Sequence, residues 1–188
     1  MELTQEQIQT LRSYKTVMDD DNIRIKTIIK QTLIEDPLII YLLNNKELED
    51  DEADPSDYLD TNILSYYLIH PTQHNVANYI CVGIDTTESP RFNDALKYQT
   101  ITFYILCEEK NGIEPLTGLP RHDLLAARIK NSFNWTNKFG TQCVLVDERE
   151  SVTDNDYATR TLKFQMTTPK NIVKTKDGAS RVVNRIGG

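Results

Sequence analysis

The alternation of apolar and polar residues is clearest between residues 78 and 166, where it predicts a β-β-α-β-β unit. The predicted strands are Asn78–Asp85, Tyr98–Glu109, Gln142–Glu150 and Asp156–Met166, and the predicted helix is Arg121–Asn134. In the second strand, apolar residues occupy every other position from Ile101 to Cys107, which is the period of a sheet with one buried face. Leu125, Ile129 and Phe133 form a helical stripe that would cover this face. The pattern therefore predicts an α+β fold, with a mainly antiparallel sheet flanked by helices.

The residues before this unit are predicted to form a helical arm. Thr4 is placed to cap a first helix, with Gln7 three residues later completing a capping box. A second helix is predicted over Asn22–Glu35, and it ends before Pro37 because the residue preceding a proline avoids helical angles. The apolar residues 38–43 then form a short segment that we expect to be buried.

An acidic segment follows, between Lys46 and Asp57. Its seven acids face one lysine, so they cannot pack together and we expect a solvated loop. Residues 62–69 are apolar again and predict either an extended edge or a short helix. The acids are Glu47, Glu49, Asp50, Asp51, Glu52, Asp54 and Asp57.

The residues after Pro169 are predicted to form an extended basic tail. Its five positive residues are opposed by Asp177 alone, which gives a net charge of +4 by subtraction. Such a segment rarely folds alone and often lies on another surface. The positive residues are Lys170, Lys174, Lys176, Arg181 and Arg185.

Length and composition are consistent with one folded domain. With 188 residues, of which 39% are hydrophobic, the chain is long enough for one core. We expect a single domain over 1–168, made of helices (1–45), the acidic loop and a connection (46–77) and the sheet–helix core (78–166), followed by the tail (169–188). The net charge of -7 argues against a surface that coats nucleic acid. No apolar run approaches the roughly 20 residues of a membrane span, so no membrane is expected.

Catalytic and metal-binding motifs are weak in this sequence. The cysteines (Cys81, Cys107, Cys143) lie inside predicted strands and are expected to be reduced core residues. The histidines (His70, His74, His122) lack the spacing of a zinc site and are expected on the surface or in loops. We therefore predict no catalytic residue, metal or cofactor.

One enzymatic alternative remains open, a magnesium-dependent nuclease. Asp85 ends one predicted strand, and Glu108 with Lys110 forms an E-x-K pattern at the end of the next. In nucleases of the restriction type, such acids hold Mg²⁺, and the lysine lies beside the metal-bound water that attacks the phosphate. Solvated charges at strand ends explain the same residues, because E-x-K is short and frequent in a charged chain.

Trp135 and Phe139 flank the end of the predicted helix. Their simplest role is to cap the core. They are also candidates for a contact with a neighbouring subunit, because aromatic residues are enriched at protein interfaces.

The order of elements and several segments resemble the tail terminators, or tail completion proteins, of tailed bacteriophages. The segments that carry the resemblance are IIYLLNN (39–45), NYICVGID (78–85), ITFYILCEEKNG (101–112), RHDLLAARIKNSFN (121–134) and ATRTLKFQM (158–166). Such proteins resemble tail-tube subunits in fold and close into rings, typically six-fold, at the head-to-tail junction.

The resemblance implies a non-enzymatic virion protein, assembled in the host cytoplasm, that caps the tail tube and meets the neck proteins. A head-side connector is the alternative within the same class. The basic tail, from Lys170 to Arg185, is then a candidate arm that pairs with acids of an adjacent copy. The acidic loop is a candidate channel lining past which DNA moves without specific binding, since like charges repel. Its candidate lining residues are Glu47, Glu49, Asp50, Asp51, Glu52 and Asp54.

Overall fold

A computed structural model describes residues 4–14, 21–50, 53–66, 78–87, 96–153, 157–169, 172–175 and 178–181. The helices are α1 (Gln5–Ser13), α2 (Asp21–Ile34), α3 (Pro37–Leu43), α4 (Lys46–Asp50) and α5 (Arg121–Phe133). The strands are β1 (Ile63–Leu64), β2 (Asn78–Thr87), β3 (Leu96–Glu108), β4 (Cys143–Thr153), β5 (Tyr157–Pro169), β6 (Ile172–Thr175) and β7 (Gly178–Arg181). Short 3-10 helices cover Pro55–Tyr58 and Glu109–Asn111.

Five strands form one sheet in the order β1-β2-β3-β5-β4. The short β1 runs parallel to β2, and the other neighbours are antiparallel. At the centre of the sheet, Phe103 of β3 lies opposite Val82 of β2 and Leu162 of β5. The predicted α+β class with a mainly antiparallel sheet is confirmed.

The main core lies between the sheet and the helices. The ring of Phe103 is 5.2 Å from that of Phe133 in α5 and 5.6 Å from that of Phe164 in β5, measured between centroids. Ile25 and Ile29, on the apolar stripe of α2, are fully buried in the same cluster. The stripes predicted for both helices therefore face one sheet surface.

The opposite face of the sheet carries a smaller apolar cluster. Leu64, Tyr79 and Cys81 are buried there, with Tyr104 and Leu106 packed against them. Burial raises the pKa of Tyr79 to about 12. Both faces of β2 are buried because its first six residues form a nearly continuous apolar run. Cys81, like Cys107 and Cys143, is buried and forms no disulfide, as predicted.

The position of α3 against α5 depends on Asp36. Its carboxylate accepts from the backbone N–H of Leu38 at 3.0 Å and so caps α3. The same carboxylate accepts from Nη2 and Nε of Arg128, on α5, at 2.6 and 3.0 Å. One side chain therefore begins α3 and holds it beside α5.

The segments outside the core differ from the predictions in several places. The acidic segment is not a plain loop, because Lys46–Asp50 is a short helix and Pro55–Tyr58 a 3-10 turn capped by Asp54. Within the apolar segment 62–69, Ile63–Leu64 forms an edge strand, and residues 67–69 lie outside the described residues. The predicted extended tail contains a hairpin, since β6 pairs with β7. The acids at positions 51 and 52 and the connection 88–95 lie outside the described residues.

Candidate interaction surfaces

The loop between β3 and α5 has a closed backbone. The N–H of Glu114 donates to the carbonyl of Leu119 at 2.8 Å, and the N–H of Gly118 donates back to the carbonyl of Glu114 at 2.8 Å. Gly118 has φ +71°, a conformation that glycine adopts without strain. The N–H of Arg121 donates to the carbonyl of Gly112 at 2.7 Å and joins the two ends of the loop.

A buried carboxylate fills the inside of this loop. Glu114 is 2% exposed and accepts from the hydroxyl of Thr117 at 2.6 Å and from the N–H groups of Thr117 and Leu116 at 2.7 and 2.9 Å. The hydroxyl of Tyr41, on α3, donates to the same carboxylate at 2.7 Å. These hydrogen bonds lower the pKa of Glu114 to about 2, and the bond from the Thr117 hydroxyl has the largest effect. The loop is therefore fixed on itself and on α3.

The side chains that this loop turns outward are apolar. Leu116 is 85% exposed, and Ile113 and Leu119 are also exposed. Leu38 and Tyr41, three residues apart on α3, continue the apolar surface beside the loop because Tyr41 bonds to Glu114. We call these five residues the loop patch. An ordered group of exposed apolar residues is typical of a protein interaction site.

Charged residues gather where α5 begins above β4 and β5. Arg160 binds Asp123, Glu148 and Glu150, with nitrogen–oxygen distances of 3.3, 3.0 and 3.1 Å. Nζ of Lys130 is 3.0 Å from the same Glu148. Each acid already has a cation partner, so this network fits a structural role better than general acid–base chemistry.

The two edges of the sheet are unequal. The edge strand β1 has two residues, whereas β4 has eleven and has β5 as its neighbour in the described sheet, with one further bridge from Cys143 to Thr136. The register of β4 shifts between Leu145 and Asp147, and the bulged Val146 points to the surface together with the 80% exposed Val152. Bulges and charges on a long edge discourage indiscriminate strand pairing.

The two aromatic residues predicted as interface candidates, Trp135 and Phe139, differ in their exposure. Phe139 is buried and its ring stacks on Phe133 at 5.9 Å, so its interface role is wrong for this chain and its core role is confirmed. Trp135 is 63% exposed, with φ 62°, while its N–H donates to the carbonyl of Cys143. Trp135 therefore remains a candidate for a subunit contact.

The charged candidate residues are only partly described. The acids of the predicted channel lining that the structure describes are all exposed: Glu47, Glu49, Asp50 and Asp54. In the tail, Lys174 lies on β6 and Arg181 on β7, two strands of one hairpin. Both proposed roles stay predictions. The remaining candidates, Asp51, Glu52, Lys170, Lys176 and Arg185, lie outside the described residues.

The structure separates the nuclease residues. Asp85 pairs with Thr100 on β3, and Glu108 lies eight residues further along that strand. At about 3.4 Å per residue, the two carboxylates are roughly 27 Å apart, so they cannot hold one metal ion. Among the described residues, no group of three His, Cys, Asp or Glu side chains is placed to hold a metal.

The prediction of a surface position for His122 is wrong. This side chain is 7% exposed, and its Nε2 lies 3.4 Å from Glu150. His122 lies in the first turn of α5, beneath the charged network. The pattern of apolar and polar residues along the helix did not predict this burial. His70 and His74 lie outside the described residues.

The loop patch was missed by the sequence predictions. Its signal was the three-residue spacing of Ile113, Leu116 and Leu119 in a segment read only as a long connection. The burial of Glu114 has no such signal, because an acid in a loop is usually solvated.

A comparison with known protein families identifies the family to which this chain belongs. Residues 36–166, well over half of the sequence, match the YomW family, and the chain therefore belongs to that family. The match indicates a phage-associated protein. A search for similar curated proteins finds no match. In the described part of the chain, no helix has the length and hydropathy to cross a membrane.

Proposed function

We propose that this member of the YomW family is a structural protein of the phage particle that closes into a ring at the head-to-tail junction and terminates the tail tube. The phage association of the family supports this proposal. The resemblance of the element order to tail terminators also supports it. The ring is expected to be six-fold, with the tail tube on one side and neck proteins on the other.

The observation that carries the proposal is the loop patch. Leu116 and its neighbours are held outward by a buried carboxylate, although the same chain buries many large apolar residues, Phe103 and Phe133 among them, in its main core. Exposing an ordered leucine has no benefit for folding, because each such side chain forgoes about 1.5–3 kcal/mol of burial. A surface of this kind is explained by a partner that covers it.

The unequal surfaces of the subunit favour a ring over a symmetric dimer. The patch lies at one end of β3, the long edge β4 carries a bulge and charges, and the edge β1 is short. A contact between two different surfaces is head-to-tail, and such contacts form a closed ring when the rotation between copies closes. DNA is then expected to pass along the exposed acids of α4, which repel phosphate.

The test is a phage that lacks this chain, with the wild-type chain supplied in trans as the control. Because a terminator stops the growth of the tube, its loss should give tails of excessive length that are not joined to heads. A head-side connector would instead leave tails of normal length beside heads that lose DNA. Normal, infectious particles without this chain would overturn the proposal.

A further inference from the structure

The first helix presents a second apolar surface that the body of the molecule does not cover. α1 begins with a complete capping box between Thr4 and Gln7, so it has a defined start. None of its residues is buried, and Leu11 and Tyr14 are 57% and 44% exposed. Together with Ile8, these residues form an apolar stripe at helical spacing. A nine-residue helix is too short to be stable alone in water, so this stripe needs a partner.

The base of α1 and the loop patch lie at opposite ends of β3. Asn22, at the start of α2, accepts from Gln99 near the beginning of β3, and Nη2 of Arg24 donates to the carbonyl of Phe139. The loop patch follows Glu108, the last residue of β3. Nine residues separate Gln99 from Glu108, which corresponds to about 30 Å along the strand. α1 therefore leaves the molecule at one end of β3, and the loop patch occupies the other end.

This separation favours docking between two chains over docking within one. Six residues join Tyr14 to Asp21, and a fully extended link of this length spans at most about 25 Å. To place its own α1 on its own patch, the chain would have to stretch this link along the whole sheet. A neighbouring copy arranged head to tail offers its patch at the end where the arm emerges.

The charges around the two surfaces are complementary. α1 carries Glu6 in its first turn and Arg12 in its last turn. The loop patch is preceded in sequence by Lys110, and α3 is followed by the acidic α4. An orientation of α1 that brings Glu6 toward Lys110 and Arg12 toward α4 would pair opposite charges.

We propose that α1 of one copy docks through Ile8, Leu11 and Tyr14 on the loop patch of the next copy in the ring. This inference rests on the proposed function, since it names the contact that joins adjacent subunits. A nine-residue helix contributes less area than a stable interface needs, so the contact reinforces a ring that other surfaces also close.

The direct test is a disulfide between two copies of different length. Leu11→Cys is introduced in a tagged chain and Leu116→Cys in an untagged one, and the mixture is oxidised gently. The native cysteines are buried, so they do not compete. We expect a disulfide-linked heterodimer of tagged and untagged chains. Val152→Cys, a change at a residue of similar exposure on β4, replaces Leu116→Cys as the matched control and should give little of this product.

A chain with both cysteines separates the alternatives. Docking between copies predicts a ladder of linked chains, whereas docking within one chain predicts a cross-linked monomer and would overturn the inference. Leu11→Ser should also weaken self-association roughly ten- to hundredfold, the factor that corresponds to burying one leucine.

Failure of the inference can be told apart from failure of the ring. If the wild-type chain assembles but neither the linked heterodimer nor the effect of Leu11→Ser is observed, the docking contact is wrong and the ring stands. If the wild-type chain remains monomeric and phage without it are normal, the proposed function itself fails, and the docking contact fails with it.

Discussion

The aromatic core and the loop patch are both apolar, but different forces hold them. In the core, Phe103 is fixed by rings on α5 and β5 and is fully buried. In the patch, Leu116 is 85% exposed, and the loop that carries it is fixed by the carboxylate of Glu114. The first group is stabilised by the chain itself. The side chains of the loop patch are positioned by the chain and remain exposed, where a partner can contact them.

This difference shows how a small protein keeps a group of apolar side chains on its surface instead of packing them into its core. A loop that cannot bend inward keeps its apolar side chains on the surface, where burial would otherwise favour packing them. The four hydrogen bonds to Glu114 supply that restraint from below. The following variants test this contrast, in order of decreasing effect on stability.

Phe103→Ala should have the largest effect. Removing a fully buried ring that contacts two others leaves a cavity, and we expect a loss of about 3–5 kcal/mol in the free energy of unfolding. Urea denaturation measures this loss. Val152→Ala, at an exposed position on β4, should stay within about 0.5 kcal/mol of the wild type. Equal effects of the two variants would mean that the inner face of β3 is misassigned.

Glu114→Gln should lower stability by less and should change its dependence on pH. The pKa of Glu114 is lowered from 4.5 to about 2 in the folded chain, so its contribution is present above pH 4.5 and is lost as the pH falls toward 2. The wild type should therefore approach the stability of the variant across this window. Unfolding curves of both proteins at each pH measure the difference.

The neighbouring exposed acid provides the control for this experiment. Glu109→Gln changes the same charge outside the loop interior and should leave the pH profile nearly unchanged. A constant gap between wild type and Glu114→Gln over the whole window would contradict the hydrogen-bonded carboxylate.

Deletion of residues 170–188 should leave the fold nearly unchanged and weaken assembly. The main core ends with β5, so the free energy of unfolding of the body should shift little, while the oligomer mass falls. Replacing Lys170, Lys174, Lys176, Arg181 and Arg185 by Gln separates charge from length. Full assembly by both variants would refute the role of the tail as an arm.

Leu116→Ser should have the smallest effect on stability and a clear effect on association. The side chain is almost fully exposed, so the free energy of unfolding should change by less than about 0.5 kcal/mol. Sedimentation should nevertheless show weaker self-association than for Val152→Ser, the matched change outside the patch. A large loss of stability would place Leu116 with the core rather than with the docking surface.

Most of the sheet could be predicted because its apolar period is long and local. The alternation through Ile101, Phe103 and Ile105 and the stripe on α5 fixed which faces meet. The hairpin of the tail and the short α4 escaped prediction, since both lie in charged sequence without an apolar period.

The site was less predictable because it depends on contacts between distant residues. Tyr41 and Glu114 are 73 positions apart, and nothing local announces their hydrogen bond. The separation of Asp85 from Glu108 likewise follows from the strand register and cannot be read from a short motif. Phe139 was assigned both a core and an interface role from its position beside α5, and only its packing on Phe133 decided between them.

The central claim is that this chain works as a ring in the phage particle, and locating it there tests the claim most directly. Purified particles carrying a tagged copy can be imaged by electron microscopy, with the subunit mass measured on the same preparation. The account predicts a closed ring of tagged chains between the tail tube and the neck. Mature particles that contain no copy of the chain would contradict it.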